Sequence, residues 1–250
     1  MGGEEKMLFI SLIIPAFNEE KCIVECLRSV RAAFEKVAAT QSFDYEVVVV
    51  DNNSTDRTAE LARSEGARVV FEAVNQIARA RNRGAAEAQG EWFIFLDADS
   101  LLSAELLAGT VAAIQRGNVA GGGSLIRFPK GAKFSIRVSA ALWNTISRTA
   151  RLAAGSYIYC RQDLFWRAGG FDEKIYASED VGFCRRLKRI ACPLKLRFVV
   201  LKRHPLLTSD RKAELYTLRE VLWLFFRMLV APKRTCGDPK SCHIWYDGRR

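Results

Sequence analysis

No C-x-x-C pair occurs in this chain of 250 residues, and its seven cysteines, Cys22, Cys26, Cys160, Cys184, Cys192, Cys236 and Cys242, are odd in number. That pattern argues against a disulfide framework and against a structural zinc site, and it suits a reducing cytoplasm. Long apolar runs are scarce as well. The longest late one, Val221 to Pro232, is interrupted by Arg227 and falls well short of the ~20 residues of a membrane span. The start, "MGGEEKMLFISLIIPAF", carries acidic residues where a secretion signal needs basic ones, and its apolar stretch runs straight into a polar turn. Lys6 stands where the myristoylation pattern requires Ser or Thr. The expectation is a cytoplasmic protein with no preceding targeting segment, which does not cross a bilayer.

What is present points to one sizeable domain. Apolar residues make up 49% of the chain, enough for a single large α/β domain with a substantial core, whereas two full domains would be cramped. A net charge of +10 admits nucleic acid, an anionic membrane surface or phosphorylated small molecules as partners. A nucleic-acid module is disfavoured, because zinc-finger spacing, an RNP-like aromatic strand and a helix-turn-helix are all missing and the cations are dispersed.

The first hundred residues alternate between two periodicities. Phe9 to Ile14 reads as a strand that stops at Pro15, after which Cys22, Ile23, Cys26, Leu27, Val30, Phe34 and Val37 recur at helical spacing. The β-branched run Val47 to Val50 reads as a second strand. "DNNSTD" follows, with Ser54 or Thr55 as N-cap of a helix that Gly66 ends. Val69 to Phe71 makes a short strand, Ile77 to Gln89 a helix closed by Gly90, and Phe93 to Leu96 another strand. Strands apolar on both faces and separated by helices imply a parallel sheet covered on both sides. Ligands of such sheets bind beyond the carboxyl ends of the strands, where Pro15, Asn18, Glu19, Asp51, Asp97 and Asp99 all fall.

Asp97 and Asp99 pose the sharpest chemical question. Two carboxylates one residue apart repel each other in a dry site unless a cation joins them, and hard cations such as Mg²⁺ or Mn²⁺ favour oxygen ligands shared with substrate phosphates. An isolated D-x-D is more often a solvated turn, but at the end of a buried strand it reads as a site for a metal and a diphosphate.

Four ordered segments carry a resemblance: "IIPAFNEE", "VVVVDNNSTDRT", "ARARNRGAAEAQGEWFIFLDADS" and "GGFDEKIYASEDVGFCRRLKR". Over roughly residues 8 to 212 they resemble the GT-A-fold glycosyltransferases of family 2. The resemblance implies a Rossmann-like, mostly parallel sheet with helices on both faces. It also implies metal-dependent, inverting transfer of a sugar from a nucleotide diphosphate donor. A UDP-sugar is the favoured donor, the base is left open between uracil and guanine, and the acceptor is a hydroxyl, with a lipid-linked or cell-envelope glycan in view. Carried over, Pro15, Ala16, Phe17 and Glu19 look like the loop cradling base and ribose, and Asp51 like the aspartate that accepts from the base. Arg81 matches a basic residue near the nucleotide, with Arg79 its neighbour. In the D-A-D turn of Asp97, Ala98 and Asp99, Asp97 lies against ribose and metal and Asp99 is the principal metal ligand.

An inverting displacement also needs a base on the side opposite the leaving diphosphate. Asp180 resembles the family's general base and Glu179 a residue that fixes it or binds the acceptor. The same residues also suit a helix N-terminus, where the macrodipole favours negative side chains. "GSYIYCRQDLFWRAGGFDE" corresponds to the acceptor-side strand, short helix and Gly-Gly turn. In "KRHPLLTSDRK", His204, Arg211 and Lys212 stand where relatives close over the diphosphate, and His204 is a candidate third metal ligand. Two alternatives remain: a sugar nucleotidyltransferase, against which "PAFNEEK" lacks the Gly-rich basic phosphate loop, and a non-catalytic nucleotide-sugar-binding module.

Residues 213–250 read as a separate extension to a domain of residues 1–212. The last fifty residues hold eleven Lys or Arg against five Asp or Glu, around "LREVLWLFFRMLVAPKR". A basic amphipathic helix of that kind lies on an anionic membrane, packs on the core or joins a second subunit in a homo-oligomer.

Overall fold

The computed structural model describes residues 7–129, 131–153 and 155–209. The expected C-terminal helix, with Arg211 and Lys212, therefore lies outside the described residues, as does the boundary at residue 212.

Alternation along the strands explains the architecture. In β4 (Trp92–Leu96), Trp92, Ile94 and Leu96 enter one core with Ile10, Leu12 and Ile14 of β1 (Phe9–Ala16), whereas Phe93 and Phe95 enter the other with Ile13. Both faces are buried, so the strands read as unbroken apolar runs. The first core is covered by α1 (Ile23–Ala38) and α4 (Ala104–Gln115). The second is covered by α3 (Ile77–Glu87), α6 (Gln162–Arg167) and α7 (Glu179–Ala191), with Phe95, Phe165, Phe171 and Phe183 in mutual contact.

The remaining elements are β2 (Asp44–Asp51), α2 (Thr58–Ser64), β3 (Arg68–Phe71), β5 (Ser100–Leu101), β6 (Val119–Arg127), α5 (Phe134–Ala150), β7 (Tyr157–Arg161) and β8 (Arg197–Thr208). One eight-stranded sheet runs β3-β2-β1-β4-β7-β6-β8-β5. Its first four strands are parallel; β7 enters antiparallel between β4 and β6, and β8 runs parallel to β6. The sheet is thus a parallel unit joined to a mixed one. Among the described residues no helix is long and apolar enough to cross a membrane.

Three sequence expectations shift. β1 continues through Pro15 to Ala16, because proline's missing N–H costs only one ladder bond and Pro15 still pairs in register with Val50. The second helix starts at Thr58, and neither Ser54 nor Thr55 caps it, since Ser54 is committed to the neighbouring loop. The third ends at Glu87, where Ala88 is already extended.

Candidate functional site

Two groups of residues converge at the carboxyl ends of the parallel strands. The first is a pair of loops, after β1 and after β2, that tie each other down. Asn18 donates its backbone N–H to Ser54 Oγ (3.0 Å) and accepts from the Thr55 N–H at Oδ1 (2.8 Å), while Glu19 N–H donates to Thr58 Oγ1 (2.7 Å). Asp51 Oδ1 accepts from the Ser54 N–H at 3.0 Å, and the Asn52 N–H donates to the Ala16 carbonyl at 2.8 Å. Asn18 and Asn53 take positive φ, 52° and 63°, a region that Asn tolerates better than most side chains. The expected residues Pro15, Ala16, Phe17, Glu19 and Asp51 thus share one stitched rim, with Glu19 and Asp51 buried.

The second group centres on Arg81. Its guanidinium is 1% exposed and donates to Glu179 Oε1 (2.7 Å), Asp97 Oδ1 (3.1 Å) and the Gly155 carbonyl (2.9 Å), and it lies 5.1 Å from the centre of the Phe171 ring. Sequence reasoning set Arg81 beside a nucleotide; here its terminal nitrogens are occupied by the protein's own carboxylates. It fastens the D-A-D turn after β4 to the first turn of α7. Arg79 points to a different partner and pairs with Glu173 at 3.4 Å.

α3 holds this junction by more than Arg81. Asn82 exchanges two hydrogen bonds with the backbone of Phe171, both 2.9 Å, and the Gln76 amide donates to the carbonyls of Glu173 and Ile175. Gly169 and Gly170 take φ of 76° and 60°, so this turn needs glycine. At Gly155 the requirement is space: an added Cβ would come within 2.8 Å of Arg81 Nη2 and 3.1 Å of Asp180 Oδ2.

Burial sets the electrostatics. Glu179 is raised from 4.5 to about 7, first by desolvation and then by the Asp180 charge, with Arg81 opposing both. Asp180 is raised too, again chiefly by burial, against the pull of Arg81 and the Val181 N–H. On the other side of the D-A-D turn, burial pushes the Cys26 thiol up, and Asp99 and Asp97 add to it. That cysteine packs as a neutral hydrophobe, its sulfur 3.9 Å from the Asp97 carbonyl.

Asp97 and Asp99 are half-buried in the turn between β4 and β5, flanking buried Ala98. Asp99 offers its carbonyl to the Ser209 N–H (3.2 Å), which brings the end of β8 onto the turn. His204 is exposed on β8, four residues before the Thr208 that pairs with Ser100. Among the described residues no three His, Cys, Asp or Glu groups gather as a metal cluster, so His204 does not close a set with Asp97 and Asp99. The two aspartates form an all-oxygen pair, which fits a hard cation whose other ligands come from a diphosphate and water.

A cavity of about 300 Å³ opens beside Asp180. Arg81, Asp97, Glu179 and Asp180 give it a polar end, and Trp143 and Tyr176 face the same space. The Trp143 Nε1–H is buried without a hydrogen-bond partner. Sequence reasoning missed both aromatics. Tyr176 stood close to the "SED" motif and was legible; Trp143, on α5, arrives from 37 residues before Asp180 with no local signal.

The model of the family described as Glycosyl transferase family 2 matches residues 11–168. The chain belongs to that family. One relative is the dolichyl N-acetyl-α-D-glucosaminyl phosphate 3-β-D-2,3-diacetamido-2,3-dideoxy-β-D-glucuronosyltransferase of Methanococcus voltae, 27% identical over 192 residues, covering 71% of this chain and 57% of that protein. Among solved structures, the mannosyltransferase PcManGT of Pyrobaculum calidifontis, in complex with GDP-Man and Mn²⁺, superposes with a TM-score of 0.62 at 21% identity, over 81% of this chain and 57% of its own. TarS 1-349 of S. aureus, in complex with UDP-GlcNAc, gives 0.61 at 23% identity, over 95% and 69%. The chain thus spans only part of each of these proteins. At such identities the structural likeness is one of fold, and it places the sheet among GT-A glycosyltransferases.

Proposed function

We propose that the chain is an inverting glycosyltransferase that moves a sugar from a nucleoside diphosphate, with a UDP-sugar favoured, to a hydroxyl on a lipid-linked or cell-envelope acceptor. The observation that carries this reading is the Arg81 bridge, 3.1 Å to Asp97 and 2.7 Å to Glu179. It sets the strand-end carboxylate of Asp97 beside a second pair, Glu179 and Asp180, at the polar end of one small cavity. Family membership, a relative named for a dolichyl N-acetyl-α-D-glucosaminyl phosphate and a fold neighbour bound to UDP-GlcNAc support the same assignment.

In this reading the rim of Pro15, Ala16, Phe17, Glu19 and Asp51 holds the nucleoside. Asp99, with Asp97, holds a Mg²⁺ or Mn²⁺ ion, which when bound supplies neutralising charge for the leaving diphosphate. Asp180 accepts the proton of the acceptor hydroxyl as its oxygen bonds to the anomeric carbon. The bond from that carbon to the diphosphate oxygen breaks, its electron pair leaving with the diphosphate. Arg81 is a positioning residue, and Glu179 fixes the base. Calorimetry with UDP-sugars and Mn²⁺ tests the donor half: the wild type binds only with the metal, and Asp99→Ala loses both affinity and metal dependence. Unchanged affinity and metal dependence in Asp99→Ala would reject the assigned site.

A further inference from the structure

One surface is left over by this account. On the outer side of α5, Val138, Leu142 and Ile146 are 49%, 64% and 39% exposed. At ~100° per residue these three positions, spaced by four, share an arc of about 80°. An uncovered apolar stripe on a soluble helix is unfavourable unless something apolar meets it. The inner side of α5 is accounted for: Ile136, Ala140 and Ser147 are buried, and the Asn144 amide exchanges two hydrogen bonds with the Ile126 backbone, at 3.0 and 2.9 Å.

Charge names the occupant. From Leu106 to Gln162 the chain holds eight Lys or Arg and no Asp or Glu. Exposed Lys133 precedes α5, exposed Arg137 and Arg148 stand three turns apart beside the stripe, and Arg151 ends the helix. Arg127 and Arg137 further line a crevice of about 360 Å³ with Phe128 and Pro129, alongside the helix. Apolar side chains whose charged neighbours along the helix are all cations, with exposed Thr145 and Thr149 on the same face, match an anionic lipid surface: the stripe enters the acyl boundary and the cations meet headgroup phosphates. A protein partner presenting an apolar face would leave those cations without partners.

We propose that α5 docks this protein on anionic membranes, with Leu142 at the centre of the inserted face. Because Trp143 on the same helix lines the cavity beside Asp180, docking sets the mouth of that cavity at the lipid surface. The inference concerns membrane binding by α5 and does not depend on the sugar-transfer reading.

Flotation of the full chain tests it, with vesicles of phosphatidylcholine alone or mixed with phosphatidylglycerol. The wild type floats with the mixed vesicles and not with phosphatidylcholine alone. Leu142→Glu lowers that binding at least ~10-fold, and Arg137→Gln/Arg148→Gln weakens it while making it less sensitive to salt. Leu142→Ser, a milder change at an exposed position, gives a smaller loss in the same direction, and circular dichroism confirms that each variant keeps its fold. Wild-type binding by Leu142→Glu would overturn the proposal and move any membrane contact to residues 221–232. Equal binding to both vesicle types would overturn it too. So would a wild type that ignores vesicles but self-associates through this face, shown by a drop in mass in Leu142→Glu.

Discussion

The two halves of the sheet reach comparable order by different means. From β1 to β4 the strands are parallel, successive and linked by helices, and the loops at their ends are fastened by short side-chain to backbone bonds such as Asn18 to Ser54 and Thr55. From β6 to β8 the strands are mixed in direction, and the candidate site there is assembled by contacts between residues far apart in sequence, Arg81 to Glu179 and Asn82 to Phe171. The rim proposed for the nucleotide is therefore fastened between two neighbouring loops, across 36 to 39 positions of sequence. The cavity beside Asp180, proposed for the acceptor, is held by α3 reaching across the boundary, 98 positions from Arg81 to Glu179. A cut at that reach should harm the second half more than the first.

Arg81→Met gives the largest expected effect. It leaves Asp97 and Glu179 without their shared cation, and breaking a buried charge pair typically costs ~3–5 kcal/mol. Denaturant unfolding should register a loss of that order. Arg81→Lys should recover only part of it, since one ammonium cannot reproduce the forked contacts to two carboxylates and a carbonyl. Wild-type stability in Arg81→Met would mean that the junction is held by Asn82 and Gln76 instead.

Asp180→Asn separates the halves without dismantling them. Turnover should fall by at least ~10²-fold, the low end for losing a general base, while donor binding stays near wild type. Glu179→Gln is the comparison, because the two carboxylates adjoin and Glu179 is the one engaged by Arg81. If Glu179→Gln is the dead variant and Asp180→Asn the live one, the base is Glu179. Two active variants would defeat the inverting scheme.

A smaller loss is expected on the side proposed for the nucleotide. Asn18→Ala removes the bond to the Thr55 N–H and places alanine at φ of 52°. It should cost about 1–3 kcal/mol and weaken nucleotide binding. The stability loss from combining it with Asp180→Asn should be additive, as expected of independent sites. Strong coupling would erase the contrast between the halves.

The smallest effect is a slope with pH. Glu179 titrates higher in the fold than in the unfolded chain. Its contribution to stability is thus full below about pH 4.5 and is lost as pH rises through about 7, because the unfolded state releases the proton first. Asp180 shifts in the same direction. Melting temperature should fall across that window in the wild type and fall less in Glu179→Gln. Parallel profiles would show that Arg81 keeps Glu179 charged throughout.

Local rules made much of the first half legible. Alternating cores, β-branched runs and helix breaks placed β1 to β4 to within a few residues, and the strand ends followed from the topology that such elements permit. The helix after β2 was misplaced because Ser54 has two competing uses, as a cap or as a partner for Asn18, and the spatial neighbour won. The Gly-Gly turn and the acidic start of α7 were also readable, the first because positive φ favours glycine and the second because a helix N-terminus favours negative side chains.

By itself the sequence determined the family, the order of elements through β4 and which carboxylates stand at strand ends, because periodicity, turn chemistry and motif spacing act over a few residues. Only the tertiary structure decided that Arg81 serves Asp97 and Glu179 rather than solvent, that Trp143 lines a cavity with Asp180, and that α5 turns Val138, Leu142 and Ile146 outward. Each of those depends on which surfaces pack across the sheet. A side chain's partners are set by that packing, and residues 16, 37 or 98 positions apart carry no local trace of it.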